Sequence, residues 1–298
     1  ENTAVGKSAL ENNTTGTENV AMGAYALDAN TTAGNNTAVG RMALSANITG
    51  GNNTGLGHQA LILNTTGGDN VAIGKNSLAA NTTAASNTAV GTNALAANTT
   101  GQWNTAIGQN ALLANTTAGY TVAVGYDALK SNTTGAGNVG VGQSALYTNT
   151  TGANNTAVGY ASLLYTTGVN NTAVGALAGD AITTGSGNVA VGLGALGSEQ
   201  AGGHNTAVGE DSQALSNGAI GCTSLGTLAG YQISTGDNNM CLGKDSGRSG
   251  SPGGALTSGD NQICLADENI THAYVQVDWS IASDQRDKTD FTALDLGL

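Results

Sequence analysis

Ser283 and Lys288 are the two residues whose types and spacing come nearest to a covalent chemistry. A lysine amine that has lost its water can take the proton of a nearby serine hydroxyl, and the serine oxygen then becomes a nucleophile. The two residues stand five positions apart in the segment WSIASDQRDK, which ends at Lys288. From spacing alone, the simpler interpretation is a polar hinge with an ordinary serine and an ordinary lysine.

The remaining candidates for metal or redox chemistry are His58, His204, His272, Cys222, Cys241 and Cys264. The histidines lie far apart, which is typical of solvated surface residues. Three cysteines do not make a disulfide framework in a chain of this length. We expect buried free thiols that act as small apolar side chains, and a disulfide between stacked repeats remains the alternative. No metal and no cofactor is expected.

A pentamer of the type NTAVG recurs along the chain and sets its organisation. Its sixteen copies begin at residues 2, 19, 36, 53, 70, 87, 104, 121, 138, 155, 171, 188, 205, 222, 239 and 262. All but two steps are 17 residues long, the exceptions being 16 residues before Asn171 and 23 before Gln262. This frame predicts that CTSLG at Cys222, and not NGAIG at Asn217, begins a copy.

Each copy, here called a rung with the pentamer at positions 1 to 5, combines a strand pattern with turn chemistry. Position 3 is always small, position 4 is Val, Ile, Leu or Met, and position 5 is Gly in fifteen copies. This alternation in size with a period of two predicts a short strand, and Gly permits the bend after it. Positions 12 to 15 read N-T-T-G or N-T-T-A in most early copies, which is typical of a turn. The sequence therefore predicts an all-β solenoid, with rungs about 4.8 Å apart, Asn stacked over Asn, and a length of roughly 75 Å.

The repeat also predicts which positions are buried. We expect position 4 (Val39, Ile73 and Val158) and the Leu at position 9 to form the core, and position 6 (Arg41 and Lys75) to be exposed. In the same frame, Leu225 is expected to be buried above Val208 and below Leu242. Because so few apolar side chains make a thin core, we expect chains to associate side by side, with backbones approaching closely at the small positions 3 and 8. A monomeric solenoid with a tight Ala-filled core is the alternative.

Composition narrows the class of protein. The 298 residues include 46 Gly, only 9% are charged, and the net charge is −12. This is a poor composition for a compact enzyme core, and no apolar run reaches the 18 or so residues of a membrane helix. The acidic balance argues against nucleic acid and anionic membrane surfaces as partners. Since the chain begins at Glu1 and not at Met, we expect a piece of a longer protein.

The pattern NTAVGxxAL followed by NTTGxN resembles the head repeats of trimeric autotransporter adhesins, and equally the related repeats of bacteriophage tail fibres. The resemblance covers about residues 2 to 243. It implies a repetitive left-handed β-roll or β-solenoid of 17-residue rungs in each of three parallel chains, a homotrimeric fibre. We accordingly divide the chain into a rod (1–243), distal repeats with a strand leading to a junction (244–282), and a final segment (283–298).

The junction carries a second resemblance. Apolar residues alternate with polar ones from Val275 to Ile281, which predicts a half-buried strand. The segment after it resembles the start of the intramolecular chaperone domain that ends endosialidases and many phage tail fibres. That domain assists trimeric folding and then cuts itself off at a Ser-Asp-x-Arg-x-Lys junction, which matches Ser283, Asp284, Arg286 and Lys288. The resemblance implies that Ser283 is the nucleophile and Lys288 the base, and that residues 283–298 open a truncated chaperone.

The expected function follows from these two resemblances. The chain is expected to be a structural and adhesive fibre, the distal part of a phage tail fibre used in host-cell attachment and located on the virion outside the cell. Its expected partners are two identical chains and a host receptor, for which a glycan is one candidate, and self-cleavage is its only expected chemistry. Exposed aromatic residues (Tyr25, Trp103, Tyr126 and Tyr160) could meet that receptor or simply cover the rod. The alternative is the head of a bacterial surface adhesin, and an ice-binding β-solenoid is a minor one.

Overall fold

The fold is a single stack of short strands joined by turns. A computed structural model describes residues 1–251, 254–267 and 269–270. The described residues up to Asp267 form one compact unit. The described residues contain sixteen three-residue strands and no helix: β1 Thr3–Val5, β2 Val20–Met22, β3 Thr37–Val39, β4 Thr54–Leu56, β5 Val71–Ile73, β6 Thr88–Val90, β7 Thr105–Ile107, β8 Val122–Val124, β9 Val139–Val141, β10 Thr156–Val158, β11 Thr172–Val174, β12 Val189–Val191, β13 Thr206–Val208, β14 Thr223–Leu225, β15 Met240–Leu242 and β16 Ile263–Leu265.

The strands form one parallel sheet in chain order, β1 to β16, and the repeat frame fixes its register. In each pair, position 4 lies opposite position 4, as Leu225 does with Val208 and Leu242. The strand at Thr223–Leu225 confirms that Cys222 begins a rung and that Asn217 does not. The predicted all-β solenoid with a 17-residue repeat is therefore confirmed.

The path between strands depends on left-handed backbone at three positions of each rung. In the fourth rung, for example, the residues at positions 7 and 9 are Gln59 (φ 61°) and Leu61 (φ 53°), and the residue at position 17 is Asp69 (φ 60°). β-branched side chains strongly disfavour this backbone region. That restriction explains why position 9 is Leu in the first ten rungs, whereas position 4, in the strand, accepts Val and Ile as well.

The core lies on the opposite side of each strand from the side that the sequence predicted. Position 3, in the middle of each strand, faces the interior together with position 8 and the Leu at position 9, as Ala38, Ala43 and Leu44 show. Position 4 faces outward: Val39 and Ile73 are half-buried, and Val158 and Leu225 are 37% and 51% exposed. The prediction that position 4 is buried is therefore wrong for the chain itself, because a three-residue strand directs only its middle side chain inward.

Positions 3 and 8 also differ from prediction, while position 6 agrees with it. The small residues at positions 3 and 8 make room inside the rung, where they contact the Leu column, and they do not mark an approach between chains. At position 6, Arg41 and Lys75 are exposed as predicted.

Two columns of buried asparagines tie the rungs together, as expected from the stacking. At position 12, the Nδ2 of each Asn donates to the Oδ1 of the Asn one rung earlier, in eight bonds of 2.8–3.1 Å that run from Asn13 to Asn149. At position 1, each Oδ1 accepts the backbone N–H of the next rung, as Asn53 accepts from Asn70 at 3.0 Å. These bonds satisfy polar groups that would otherwise be buried without partners.

Candidate interaction surface

The outward side of the sheet is an uncharged stripe, which we call the strand face and define as positions 2 and 4 of β1–β16; position 4 is apolar in every strand, and position 2 is Thr in nine of the sixteen. Position 2 holds Thr, Val, Met or Ile, and position 4 holds Val, Ile, Leu or Met, so that no charged residue occurs in it. Fifteen steps of about 4.8 Å give the stripe a length of about 72 Å. Several of its side chains are exposed in the middle of the stack as well as at the ends, among them Leu56, Ile107 and Val174.

A stripe of this length is unusual on a protein that stays monomeric. Soluble monomers rarely expose contiguous apolar patches of more than a few hundred Å². The columns on either side are polar or mixed: position 6 carries Arg41 and Lys75, and position 17 carries Asp69 and several asparagines. An apolar centre with more polar edges is the arrangement found in protein interfaces. The strand face is thus the best candidate interaction surface of the described chain.

The structure does not reach the predicted junction. Ser283, Asp284, Arg286 and Lys288 lie outside the described residues, as does the strand predicted between Val275 and Ile281. Self-cleavage therefore stays a prediction from the sequence.

The aromatic residues predicted at the outer surface occupy different columns. Tyr126 and Tyr160, at position 6, are exposed, and Tyr25, at position 7, is half-buried with Lys7 Nζ 5.3 Å from its ring centroid. Trp103, at position 17, stacks on Tyr120 with ring centroids 4.8 Å apart and an interplanar angle of 18°. Tyr120 was missed by the sequence reasoning. Its distance of 17 residues from Trp103, one rung, is the signal that could have found it.

The cysteines are free and buried, as expected. Cys241 and Cys264 lie opposite each other in β15 and β16. Burial, helped by the nearby Cys264, raises the pKa of the Cys241 thiol to about 12. Because the thiolate is the reactive form, this thiol is unreactive at neutral pH.

A buried carboxylate was also missed by the sequence reasoning. Glu199, at position 12, is fully buried, and its Oε1 accepts backbone N–H groups from Gly202 at 2.6 Å and Gly218 at 2.7 Å. Its Oε2 accepts the Ser216 hydroxyl at 2.6 Å, and that hydroxyl oxygen accepts from Gln213 at 3.3 Å. Aligning the rungs at position 12 would have shown an acid in an asparagine column. These bonds stabilise the fold, and because Glu199 is fully buried, its carboxyl group is inaccessible to an external substrate.

Comparison with known proteins gives no match, either to a family model or to a curated protein, so the function is inferred from the sequence and the structure of this chain. Among residues 1–251, 254–267 and 269–270, no group of three His, Cys, Asp or Glu side chains is placed to hold a metal ion. The same described residues contain no helix long and apolar enough to cross a membrane.

Proposed function

We propose that this chain is the shaft of a homotrimeric adhesive fibre, the distal part of a phage tail fibre that attaches to a host cell. The strand face is the single observation that carries the association: an uncharged stripe with an apolar residue at position 4 of every rung. A second and a third copy in the same register would meet it with equally spaced apolar residues. Burying those side chains would add stabilisation at every rung, as lateral contacts do in a solenoid.

The number of chains and the host rest on the sequence resemblance. Three chains follow from the likeness to adhesin heads and tail fibres. The phage assignment follows from the likeness of residues 283–298 to the opening of a self-cleaving chaperone. The head of a bacterial surface adhesin is the second candidate, because the same strand face would serve it equally.

Ice binding ranks third because only one of the two threonine columns is free. Position 13 hydroxyls are used within the stack, as Thr65 Oγ1 donates to the Thr82 carbonyl at 3.0 Å. Position 14 is exposed, as Thr66 and Thr83 show, and it forms a single column of threonines along the stack.

The mass of the purified chain in solution tests the association. One chain has a mass of 29.1 kDa, so a trimer has a mass of about 87 kDa by light scattering. Ile107→Lys places a charge on the strand face and should shift the protein to the mass of one chain, because an unpaired charge is costly inside an interface. Gln109→Lys, two residues along the same rung at exposed position 6, is the matched control and should leave the trimer intact. A monomeric wild type would contradict the proposal.

Testing self-cleavage at the junction requires a longer protein whose chain continues past Leu298. Wild type should yield a product cut beside Ser283, whereas Ser283→Ala and Lys288→Ala should stay fused, because an unassisted serine is a weak nucleophile. Intact mass spectrometry distinguishes the products. A wild type that stays uncut, as Ser283→Ala does, would favour the adhesin head over the phage fibre.

A further inference from the structure

Two columns of side chains run along the long edges of the strand face, one on each side. The leading flank is the residue two places before each strand, at position 17 in rungs of regular length, and the trailing flank is the residue at position 6, two places after the strand. At the level of β5, for example, Asp69 is on the leading flank and Lys75 on the trailing flank. Any chain that covers the strand face therefore also meets its flanks.

The charged residues of the two flanks are complementary level by level. No level carries the same charge on both flanks. Three levels carry an acid on one flank and a basic side chain on the other: Glu1 with Lys7, Asp69 with Lys75, and Glu210 with His204. The third level reverses the order of the first two, so a single match between the flanks accounts for both orders.

These six groups are exposed, and within the described residues none of them has an ion-pair partner. Asp69 accepts one hydrogen bond, from Asn52 Nδ2 at 3.1 Å, and Lys7 Nζ lies 5.3 Å from the centroid of the Tyr25 ring. The ion pairs that the described residues do form lie elsewhere: Lys130–Asp127, Lys244–Asp245 and Arg248–Asp245. Because the strand separates the two flanks of one chain, their complementary charges are left for another chain.

A second copy in the same register would pair these groups. Identical chains in a closed ring around an axis along the stack are related by rotation alone, which leaves every level at its height. Each chain then turns its leading flank to one neighbour and its trailing flank to the other. Asp69 of one chain thus meets Lys75 of the next, and the contact recurs at every corner of the ring.

The same charges select the stagger between parallel chains. At zero stagger, two levels place a lysine opposite a carboxylate, whereas any shift by whole rungs gives at most one lysine or arginine opposite a carboxylate. A shift of one rung, for example, leaves only Glu18 opposite Lys7 or Arg41, depending on its direction. The apolar side chains at position 4 do not distinguish these shifts, because they repeat at every rung.

We propose that ion pairs between the flanks, with Asp69 and Lys75 as the central pair, hold neighbouring copies of this chain at zero stagger. The partner on the flanks is a second copy of the same chain. This inference rests on the association proposed above, for which it names the residues that fix the register. Exposed ion pairs add little affinity, so the strand face supplies the association and the flanks select one arrangement of it.

A carbodiimide tests the contact in the full chain, because it couples a carboxyl group directly to a lysine amine that touches it. Wild type should give covalent dimers and a covalent trimer of about 87 kDa, three times 29.1 kDa, whose linked peptides join Asp69 to Lys75. The band of single chains should lack this link. Lys75→Arg keeps the charge and removes the amine, so it should abolish the link and leave the mass in solution unchanged.

Two outcomes of the coupling would overturn the inference. One is a trimer in which Asp69 and Lys75 are not linked. The other is a link between Glu18 and Lys7 of different chains, which would show a stagger of one rung.

Exchanging the charges tests the selection. Lys75→Asp and Asp69→Lys place like charges opposite each other, and each should raise the concentration at which half of the chains are associated by about tenfold. The double variant restores an opposite pair at every corner and should return to within about threefold of wild type, which also shows that both new residues fit the fold. A double variant that associates no better than Lys75→Asp would contradict the proposed pairing.

A matched control and salt separate charge from other effects. Leu63→Lys adds a cation at a side chain that is 51% exposed and eight residues along the rung from the middle of β4, and it should leave association unchanged. In about 1 M salt, where the screening length is about 3 Å, the loss caused by Lys75→Asp should shrink. A loss that is the same at low and high salt would indicate a change of packing and reject the ion pair.

The mass of the wild-type protein separates this inference from the proposed function. A monomeric wild type rejects the association and the pairing with it. A trimer whose mass and links do not depend on Asp69 or Lys75 rejects the pairing alone and leaves the fibre role standing.

Discussion

Residues 2–154, the regular region, and residues 155–261, the variable region, share one sheet and differ in how they fill the interior. In the regular region, every rung has Leu at position 9 and Asn at position 12. In the variable region, Gly179 takes the place of Leu, and Ile182, three residues later, fills the space with its Cδ1 against the Leu column. Gly230 and Ile233 repeat this exchange.

The comparison teaches that positions 9 and 12 share one interior volume and are exchanged as a pair. In most rungs either a Leu at position 9 or an Ile at position 12 supplies the apolar bulk; the rung at Asn205, with Gln213 and Ser216, and the rung at Asn239, with Gly247 and Gly250, have neither. The asparagine ladder is absent from the variable region both in rungs with Ile at position 12 and in rungs that keep Leu at position 9. The ladder ends at Asn149, whose Oδ1 is buried without a hydrogen-bond partner, because Thr166 follows it in the column. Strand register and the Gly bend at position 5 continue through both regions.

The largest expected effect tests this exchange in the regular region. Leu112→Gly should lower the free energy of unfolding by about 3–5 kcal/mol, because it empties the core of one rung. Asn115→Ile alone should also destabilise, since it breaks two ladder bonds beside a full Leu column. The double variant should recover at least about 2 kcal/mol relative to the sum of the two. Denaturant midpoints of the four proteins measure this coupling, and strict additivity would refute a shared volume.

A bend glycine should show how tightly the regular rungs approach one another. Gly74→Ala should cost about 3 kcal/mol or more, because φ is +128° and the new Cβ would lie 2.6 Å from the Gly91 carbonyl oxygen. Gly218, in the variable region, also has positive φ (+102°), but no atom lies within 4 Å of the place that its Cβ would take. Gly218→Ala should therefore cost only the backbone strain, about 1 kcal/mol. Equal losses in thermal unfolding would show that strain alone matters.

The buried acid of the variable region should matter more than an exposed one. Glu199→Gln should destabilise by about 2 kcal/mol, because it replaces charged acceptors that serve backbone N–H groups and the Ser216 hydroxyl. Glu210→Gln, at an exposed position, should change stability by less than about 0.5 kcal/mol. Urea unfolding of both variants measures the difference. If Glu199→Gln leaves the free energy of unfolding unchanged, the carboxyl group is no better an acceptor there than an amide.

The smallest effect should restore the column at position 1. Cys222 takes the place of Asn, and its Sγ donates to the Gly236 carbonyl at 3.2 Å and accepts from Asn239 N–H at 3.4 Å. A thiol is a weak donor and acceptor, so Cys222→Asn should stabilise the protein by about 1 kcal/mol. A rise in the unfolding midpoint is expected, and a fall would show that the site has adapted to sulfur.

Most of the repeat frame could be predicted from the sequence, because a motif that recurs at a fixed spacing reveals its own period. Sixteen copies of one pentamer located each of the sixteen strands that the structure describes, and the fixed step implied parallel pairing in register, including the placement of Cys222. Position 6 was recognised as exposed because it tolerates residues as different as Arg41 and Tyr126.

The direction in which each strand faces was decided by the tertiary structure. Alternation shows that positions 3 and 4 lie on opposite sides, but it does not say which side is inside. Hydrophobicity favoured position 4, whereas the narrow rung admits only the Ala side of the strand beside the Leu column. The stacking of Trp103 on Tyr120, the buried Glu199 and the exchange of Leu for Ile182 likewise depend on contacts between rungs. The sequence by itself therefore determined the period, the strands and their register, because these repeat along the chain. Which face is inside follows from the volume that the closed rung leaves for side chains.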